Sequence, residues 1–353
     1  MKKTLTIILV LMLAFALGAC NGGGTTPPPP PPANGDDNGV VDDGQVFVIT
    51  AAHASPEGVA MHLWLEAFRD EIQARSNGRI EMNIFPAGQL GGDRELLEGI
   101  QAGQITLFAS SVAPQVMFVP DLTVTDMLFV HDNVHNARAV FQDQELFDLF
   151  AERYAEAGFK LLSFTDHAFR ILTANIPINS PADLQGFTVR TSANRFHVAA
   201  WELLGANPTP LGIGEVYIAL QQGVVDGQEN PIDTIFTFGF QEQQHYFMEL
   251  YHYFHLTPYL MDPVFYNNLP ADLQAAVWES VAVATQQILD SYDAMALGLR
   301  NQLLADGKEF ITFSPAEQAA FVELAMPSWD YAREEVSPEI WDTFWAAIDR
   351  VRN

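Results

Sequence analysis

Residues 215–231 read EVYIALQQGVVDGQENP. The first eight of these residues predict a short helix that ends at Gly223, since glycine commonly closes a helix. Residues 195–204 predict a second helix, which ends at Gly205 in the same way. Predicted strands at 170–174 and 187–191 precede both helices. This part of the chain therefore contains both strands and helices.

Strands and helices alternate along the rest of the chain. Further strands are predicted at residues 46–50, 79–85, 105–109 and 160–164. Further helices are predicted at residues 57–75, 93–102, 136–157, 315–324, 328–336 and 338–350. This order of elements indicates an α/β fold with largely parallel sheets.

One predicted helix is much longer than the rest. Residues 271–306 contain no proline and a single glycine, Gly298, and their apolar residues recur at helical spacing. A helix of about 36 residues would be roughly 54 Å long. Because that length exceeds one small lobe, the helix is expected to cross two.

The first residues are typical of a lipoprotein signal peptide, predicted at 1–19. Lys2 and Lys3 precede an apolar run at residues 5–17, and the box LGAC follows at 17–20. The box ends at Cys20, the only cysteine of the chain, which is the expected site of lipidation and leaves no intrachain disulfide. The alternative is an ordinary secretory signal with a chance cysteine.

Residues 20–45 predict a disordered tether rich in proline and glycine, including six consecutive prolines at 27–32. The tether would hold the folded part outside the cell membrane on its lipid anchor. The chain carries 44 Asp and Glu against 17 Lys and Arg, a formal net charge of −27. Such a charge repels nucleic acid and anionic lipid headgroups, so neither is an expected partner.

Motifs of catalysis are absent from the sequence. Neither the GxSxG nucleophile turn nor the GxxxxGK phosphate loop occurs. His131 and His135 lie four residues apart, but the glutamate of a zinc-protease helix is missing and no third ligand is evident. We therefore expect a protein without catalytic residues, metal or cofactor.

Two arginines stand out in a chain so poor in cations. Arg170 opens one predicted strand and Arg190 ends another, and side chains at strand ends tend to face the cleft of an open α/β sheet. A guanidinium group binds a carboxylate through two parallel hydrogen bonds. The pair predicts a clamp for an anionic ligand. The alternative is that each arginine pairs with one of the 44 acids of the chain.

Several motifs resemble TRAP-transporter solute-binding proteins, the DctP family, over residues 46–345. The central motif combines GANPTP at 205–210 with residues 215–231. The others are SNGRI at 76–80, FPAGQLGGDR at 85–94, DLQGFTVR at 183–190 and NLPADLQ at 268–274. The resemblance implies an extracytoplasmic binding protein that captures a small organic carboxylate and delivers it to a membrane permease.

The resemblance also implies an architecture. The family has a two-lobe fold like that of class II periplasmic binding proteins, with crossing strands and a long helix that spans both lobes. We expect lobe I at 46–167 and 256–295, lobe II at 168–255 and 296–353, and a monomer.

The same resemblance implies roles for particular residues. Arg190 matches the family's main carboxylate-binding arginine, and Arg170 matches a second, less uniform one. Asn230 matches a cleft asparagine that hydrogen-bonds the ligand. The remaining candidates are His53 and Ser111, on first-lobe loops, and Ile213, at a position that is often aromatic. The family's frequent acid near Ser110 and Ser111 is absent, which favours a small mono- or dicarboxylate.

Other functions remain open at this point. The same fold could present its ligand to a signalling partner instead of a permease. An extracytoplasmic enzyme acting on an acidic or sugar substrate is a further alternative, against which the missing nucleophile motif speaks. Some relatives bind α-keto acids through a metal ion.

Overall fold

The computed structural model describes residues 44–352. The signal peptide, Cys20 and nearly all of the predicted tether lie outside the described residues. The strands are β1 Phe47–Ala52, β2 Ile80–Phe85, β3 Leu107–Ala109, β4 Lys160–Phe169, β5 Ile171–Ala174, β6 Thr188–Thr191, β7 Asn207–Pro210, β8 Gly227–Asn230, β9 Tyr246–Glu249, β10 Phe254–Met261 and β11 Glu309–Thr312.

Helices cover most of the remaining chain. They are α1 Ala60–Arg75, α2 Asp93–Gln101, α3 Val134–Phe141, α4 Gln144–Glu156, α5 Arg195–Leu203, α6 Val216–Gln221, α7 Ile232–Thr237, α8 Pro263–Asn267, α9 Ala271–Ala305, α10 Pro315–Ala325, α11 Pro327–Glu335 and α12 Pro338–Arg352. Short 3-10 helices lie at Pro120–Asp126, Pro181–Leu184, Ile213–Glu215 and Phe240–Glu242. None of these helices is long and apolar enough to cross a membrane.

The strands form two sheets, one for each lobe. The first has the order β2-β1-β3-β10-β4, and the second has the order β11-β9-β5-β8-β6-β7. The chain passes between the sheets from β4 to β5 at Arg170, and again between β9 and β10. These two crossings place Arg170 and the start of β10 at the junction of the lobes.

The prediction of largely parallel sheets holds for only five of the nine strand pairings in residues 44–352, because both sheets are mixed. In the first sheet β10 runs antiparallel to both β3 and β4, and in the second β5 runs antiparallel to both β8 and β9. The strands next to the crossings therefore reverse the direction of their sheet. The neighbours β7, β6 and β8 remain parallel, so their carboxyl ends lie at one edge.

The long helix α9 was predicted correctly to within one residue. Its first part packs into the core of the first lobe through residues such as Leu273, Val277 and Ile288. Near its end, Leu303 is buried in a separate cluster with β9 and α7 of the second lobe. Because one rigid helix contributes to both cores, it fixes the spacing of the two lobes along its length.

The predicted helix at 136–157 is two helices, α3 and α4. The first ends at Phe141, and Asp143 caps the second, since its side chain accepts a hydrogen bond from the backbone N–H of Leu146 at 3.1 Å. An aspartate in this position satisfies a backbone donor that the first turn of a helix leaves unpaired. The predicted helix at 57–75 begins three residues later, at Ala60.

Candidate functional site

A cavity of about 370 Å³ opens between the two sheets. The first lobe contributes Ser55, Asp93, Ser110 and Ser111 to its wall, and the second contributes Arg190, Ser192, Ile213, Asn230 and Thr234. Arg170 and His255, at the crossings, line it as well. The cavity thus collects polar side chains from both lobes and from the strands that join them.

The sheet topology brings Arg190 and Asn230 to the same edge of the second sheet. Arg190 lies near the carboxyl end of β6 and Asn230 at the carboxyl end of β8, and these two strands are parallel neighbours. In open α/β sheets the crevice at the carboxyl ends of the strands is where ligands bind. The two residues are buried, with 3% of each exposed.

The guanidinium group of Arg190 has no carboxylate partner in residues 44–352. Its Nε and Nη2 both donate to the backbone carbonyl of Leu211, at 3.1 and 2.6 Å. Nη1 makes no hydrogen bond within the described part of the chain, and the residue lines the cavity. One edge of the planar group is therefore anchored, and the Nη1–Nη2 end remains available for a two-pronged contact with an anion.

Burial makes the charge of Arg190 costly. Desolvation and, next, the nearby charge of Arg170 lower the pKa of Arg190 to about 10. The group remains a cation at neutral pH, but it lies in a region where an incoming negative charge would relieve the cost of its burial. The electrostatics around Arg190 favour an anionic ligand.

Arg170 is in the opposite situation. Its Nε bonds Oε2 of the fully buried Glu229 in an ion pair, and its Nη2 donates to Glu229 Oε1 at 2.9 Å. Burial alone would raise the pKa of Glu229, but the charge of Arg170 and the hydrogen bond from His252 lower it to about 2. Arg170 thus pairs with an acid of the chain, which was the alternative for this arginine.

Asn230 is held in one orientation by its neighbours. Its Oδ1 accepts from Arg170 Nη2 at 3.0 Å, and its Nδ2 donates to Gln228 Oε1 at 2.6 Å. A side-chain amide has two N–H donors and a carbonyl oxygen with two lone pairs. One donor and one lone pair therefore remain for a ligand.

His53 is not among the residues that line the cavity. It is completely buried after β1, and its Nε2 lies 2.9 Å from Nδ1 of His62 on α1. Burial and the neighbouring His62 lower the pKa of His53 to about 3, so the ring is neutral. Ser55, two residues further along, lies in the wall instead.

Ser111 and Ile213 do line the cavity. Ser111 follows Ser110, whose hydroxyl donates to the Ser111 carbonyl at 3.0 Å. Ile213 begins a 3-10 helix directly after Leu211 and Gly212, the segment that anchors Arg190. The structure therefore brings five of the six predicted ligand-binding positions to one cavity.

Several residues of the wall were missed from the sequence, among them Asp93 and His255. Asp93 is the first residue of α2, and the sequence predicted no role for it in ligand binding. Burial raises the pKa of Asp93 to about 6, despite the opposing charge of Arg190. His255 lies in β10, directly after the crossing from the second sheet. In residues 44–352 no group of three or more potential ligands could hold a metal ion.

Comparison with known proteins gives a consistent result. Residues 51–335 match the model of the DctP family, described as bacterial extracellular solute-binding protein, family 7. The chain belongs to this family. The predicted TRAP solute-binding protein and its two-lobe fold are confirmed, and this solute-binding protein is not an enzyme. It is extracytoplasmic, as its relatives are.

Individual relatives of this solute-binding protein cover most of its folded part. A solute-binding protein of Verminephrobacter eiseniae is 34% identical over 229 residues, which are 65% of this chain and 67% of the relative. The C4-dicarboxylate-binding periplasmic protein DctP of Rhodobacter capsulatus is 29% identical over 276 residues, covering 77% and 82%. The crystal structure of a TRAP periplasmic solute-binding protein from Bordetella bronchispeptica, with density assigned to pantoate, is 28% identical with a TM-score of 0.79, covering 87% and 99%.

Proposed function

We propose that this protein binds a small organic carboxylate in the interlobe cavity and delivers it to the membrane permease of a TRAP transporter. The observation that carries the proposal is the state of Arg190, a buried cation that lines the cavity and forms no ion pair with an acid within residues 44–352. A carboxylate there would gain two charge-assisted hydrogen bonds in a region with little water. The ligands named for the R. capsulatus and B. bronchispeptica relatives are carboxylates too.

The size and polarity of the cavity support a small ligand. A volume of about 370 Å³ is near the lower end of the range for ligand pockets, about 300–1,000 Å³. Arg190 and Asn230 would hold the carboxylate, while Ser111 and Ile213 would contact the rest of the molecule. We propose a mono- or dicarboxylate, bound without a metal or a cofactor.

We propose that binding closes the two lobes, with lobe I at 46–167 and 256–295 and lobe II at 168–255 and 296–353. Hydrogen bonds across the lobes support this. Asn194 Nδ2 donates to Asp126 Oδ2 at 3.1 Å, and the backbone N–H of Ala60 donates to Asp233 Oδ2 at 3.0 Å. Such contacts would be lost on opening, so the ligand would stabilise the state that makes them.

We also propose that Cys20 carries the lipid anchor and that residues 20–45 hold a monomer at the membrane surface. A Cys20→Ser variant should leave the membrane fraction and appear as a soluble extracytoplasmic protein. If the variant stays with the membrane as firmly as the native chain, another anchor must hold it.

The proposed ligand class is tested by thermal-shift screening of the folded chain against small carboxylates, followed by calorimetric titration. A ligand that binds only the folded state raises its melting temperature. Arg190→Met should weaken binding of the best ligand by about 2–5 kcal/mol, because the buried partner of its carboxylate is lost.

Arg69→Met is the matched control, since Arg69 forms exposed ion pairs on α1 with Asp70 and Glu66. It should leave the affinity unchanged. Unchanged affinity in Arg190→Met, or a screen in which neutral solutes bind and carboxylates do not, would contradict the proposal.

A further inference from the structure

His255 lies at an irregularity where the lobes join. In the pairing of β10 with β4, Phe254 is opposite Phe169 but Leu256 is opposite Asp166, so two residues of β4 face the single residue His255. One of the two, Ala168, has a positive φ of 52°. The bulge therefore lies in β4, while His255 points away from the core residues Phe254 and Leu256 by the ordinary alternation of β10. His255 lines the cavity, with 5% of the residue exposed.

The contacts of His255 define its tautomer. Nδ1 lies 2.7 Å from Nη1 of Arg170. A guanidinium group can only donate, so Nδ1 must be the acceptor, and the proton of a neutral imidazole is then on Nε2. Nε2 is buried and has no hydrogen-bond partner in residues 44–352. A residue that lines the cavity therefore carries an N–H donor that residues 44–352 leave without an acceptor.

The neighbours of His255 prevent other arrangements. Arg170 is bound by Glu229 through Nε and Nη2, so its Nη1 is directed to His255 by the ion pair. A proton on Nδ1 would face the N–H groups of this cation. Burial, with the adjacent His167 and Arg170, also holds the pKa of His255 well below its usual value, so the ring is neutral at physiological pH.

We propose that His255 is a specificity-determining residue whose Nε2–H donates to a second acceptor oxygen of the ligand, beyond the carboxylate at Arg190. The inference rests on the proposed function, because it assumes that the carboxylate is held at Arg190. It adds the chemistry of the rest of the ligand, which would be a hydroxyl, keto or second carboxylate oxygen.

The physical basis is the cost of an unpaired buried donor. A ligand with a methylene group at this point would leave the Nε2–H unsatisfied in the closed cavity, and one with an ammonium group would oppose a donor with a donor. Sites built to hydrogen-bond one group of a ligand discriminate strongly against analogues that lack it. The preferred ligand is therefore a carboxylate that carries a further hydroxyl, keto or carboxylate oxygen, rather than a simple fatty acid or an amino acid.

The tautomer is tested by nitrogen NMR of the full folded chain labelled with ¹⁵N-histidine, with His255 assigned from the signal lost in His255→Gln. We expect a neutral ring with a protonated Nε2 and an unprotonated Nδ1, and a shift of the Nε2–H signal when an oxygen-bearing ligand is added. A proton on Nδ1, or a cationic ring at pH 7, would overturn the inference without any ligand.

Selectivity is tested by titrating butyrate, its 2-, 3- and 4-hydroxy derivatives and succinate. At least one oxygenated acid should bind more tightly than butyrate, and His255→Phe should reduce this advantage by about tenfold with little change for butyrate. His255→Gln, which keeps an N–H donor, should retain part of the advantage.

His62→Phe is the matched control, because His62 is as buried as His255 and bonds His53 but does not line the cavity. It should leave the ratio of affinities unchanged. A uniform loss for all ligands in His255→Phe would indicate a structural role and overturn the inference, with the carboxylate proposal intact. Failure of the carboxylate proposal itself would show as unchanged binding in Arg190→Met.

Discussion

Arg170 and Arg190 line the same cavity with the same chemical group, and they differ in their partners. Arg170 is neutralised by Glu229, whereas Arg190 is anchored only by the neutral carbonyl of Leu211. A buried ion pair is largely self-contained, while a buried cation without a counterion is suited to receive one. We therefore propose different roles for the two arginines, with Arg170 stabilising the site through its ion pair and Arg190 binding the ligand.

The largest expected effect separates the two arginines by stability. Arg170→Met leaves Glu229 as an unpaired buried carboxylate, which should lower the free energy of unfolding by about 3–5 kcal/mol. Arg190→Met removes a cation with no acid partner, so its stability without ligand should stay near that of the native chain.

Denaturant unfolding of both variants measures this difference. The double variant Arg170→Met with Glu229→Leu is the control, and it should recover much of the lost stability because no charge remains unpaired. Equal losses in the two single variants would remove the distinction.

The second prediction concerns the shape of the cation. Arg190→Lys keeps the charge but loses the planar fork that bonds Leu211 and a carboxylate together. We expect affinity for the best carboxylate to fall by about 1.5–3 kcal/mol in calorimetry, the range for hydrogen bonds to charged groups. Native affinity in this variant would mean that charge alone is sufficient.

Asn230 bonds Arg170 and lines the same cavity as Arg190, and a smaller effect is expected there. Asn230→Ala removes the acceptor for Arg170 Nη2 and the remaining amide donor of the cavity. Affinity should fall by about 1 kcal/mol, with Arg190 still in place. A loss as large as that of Arg190→Met would make the amide an equal partner in carboxylate binding.

The smallest effect concerns pH. Burial raises the pKa of Asp93 to about 6, so Asp93 is ionised above this pH and repels an anionic ligand near Arg190. The pKa of Arg190 is about 10 and that of His255 is held far below neutral, so neither changes charge near pH 6.

Affinity for a carboxylate should therefore rise as the pH falls from 8 to 5, severalfold and centred near 6. Titrations across this range measure the change, and Asp93→Asn should make the profile flat. An affinity that instead falls as Asp93 is protonated would assign the residue a direct bond to the ligand.

The sequence allowed an anion-binding cleft with two arginines to be predicted, but not the different partners of the two arginines. Arg170 and Arg190 were predicted to reach one cleft from their positions at strand ends. That Arg170 pairs with an acid could not be foreseen, because any of 44 Asp and Glu residues could have been the partner. The pairing depends on the antiparallel register of β5 and β8, which sets Ile171 opposite Asn230.

Other differences have similar physical origins. The long helix was predictable because 35 residues without proline leave few alternatives. Strand direction was not, since the residues of β10 look the same in a parallel and an antiparallel sheet. The family resemblance placed His53 on a loop at the cleft, but its ring is buried against His62 instead. His255 was missed because its contact with Arg170 depends on the ion pair of Arg170 with Glu229, which joins distant parts of the chain.

The most direct test of the central claim is a crystal structure of the folded chain with its best carboxylate bound. We predict that the carboxylate oxygens lie about 2.7–2.9 Å from Nη1 and Nη2 of Arg190, with Arg170 still paired to Glu229. A carboxylate bound elsewhere, with the Arg190 guanidinium bonded only to groups of the protein, would contradict the account.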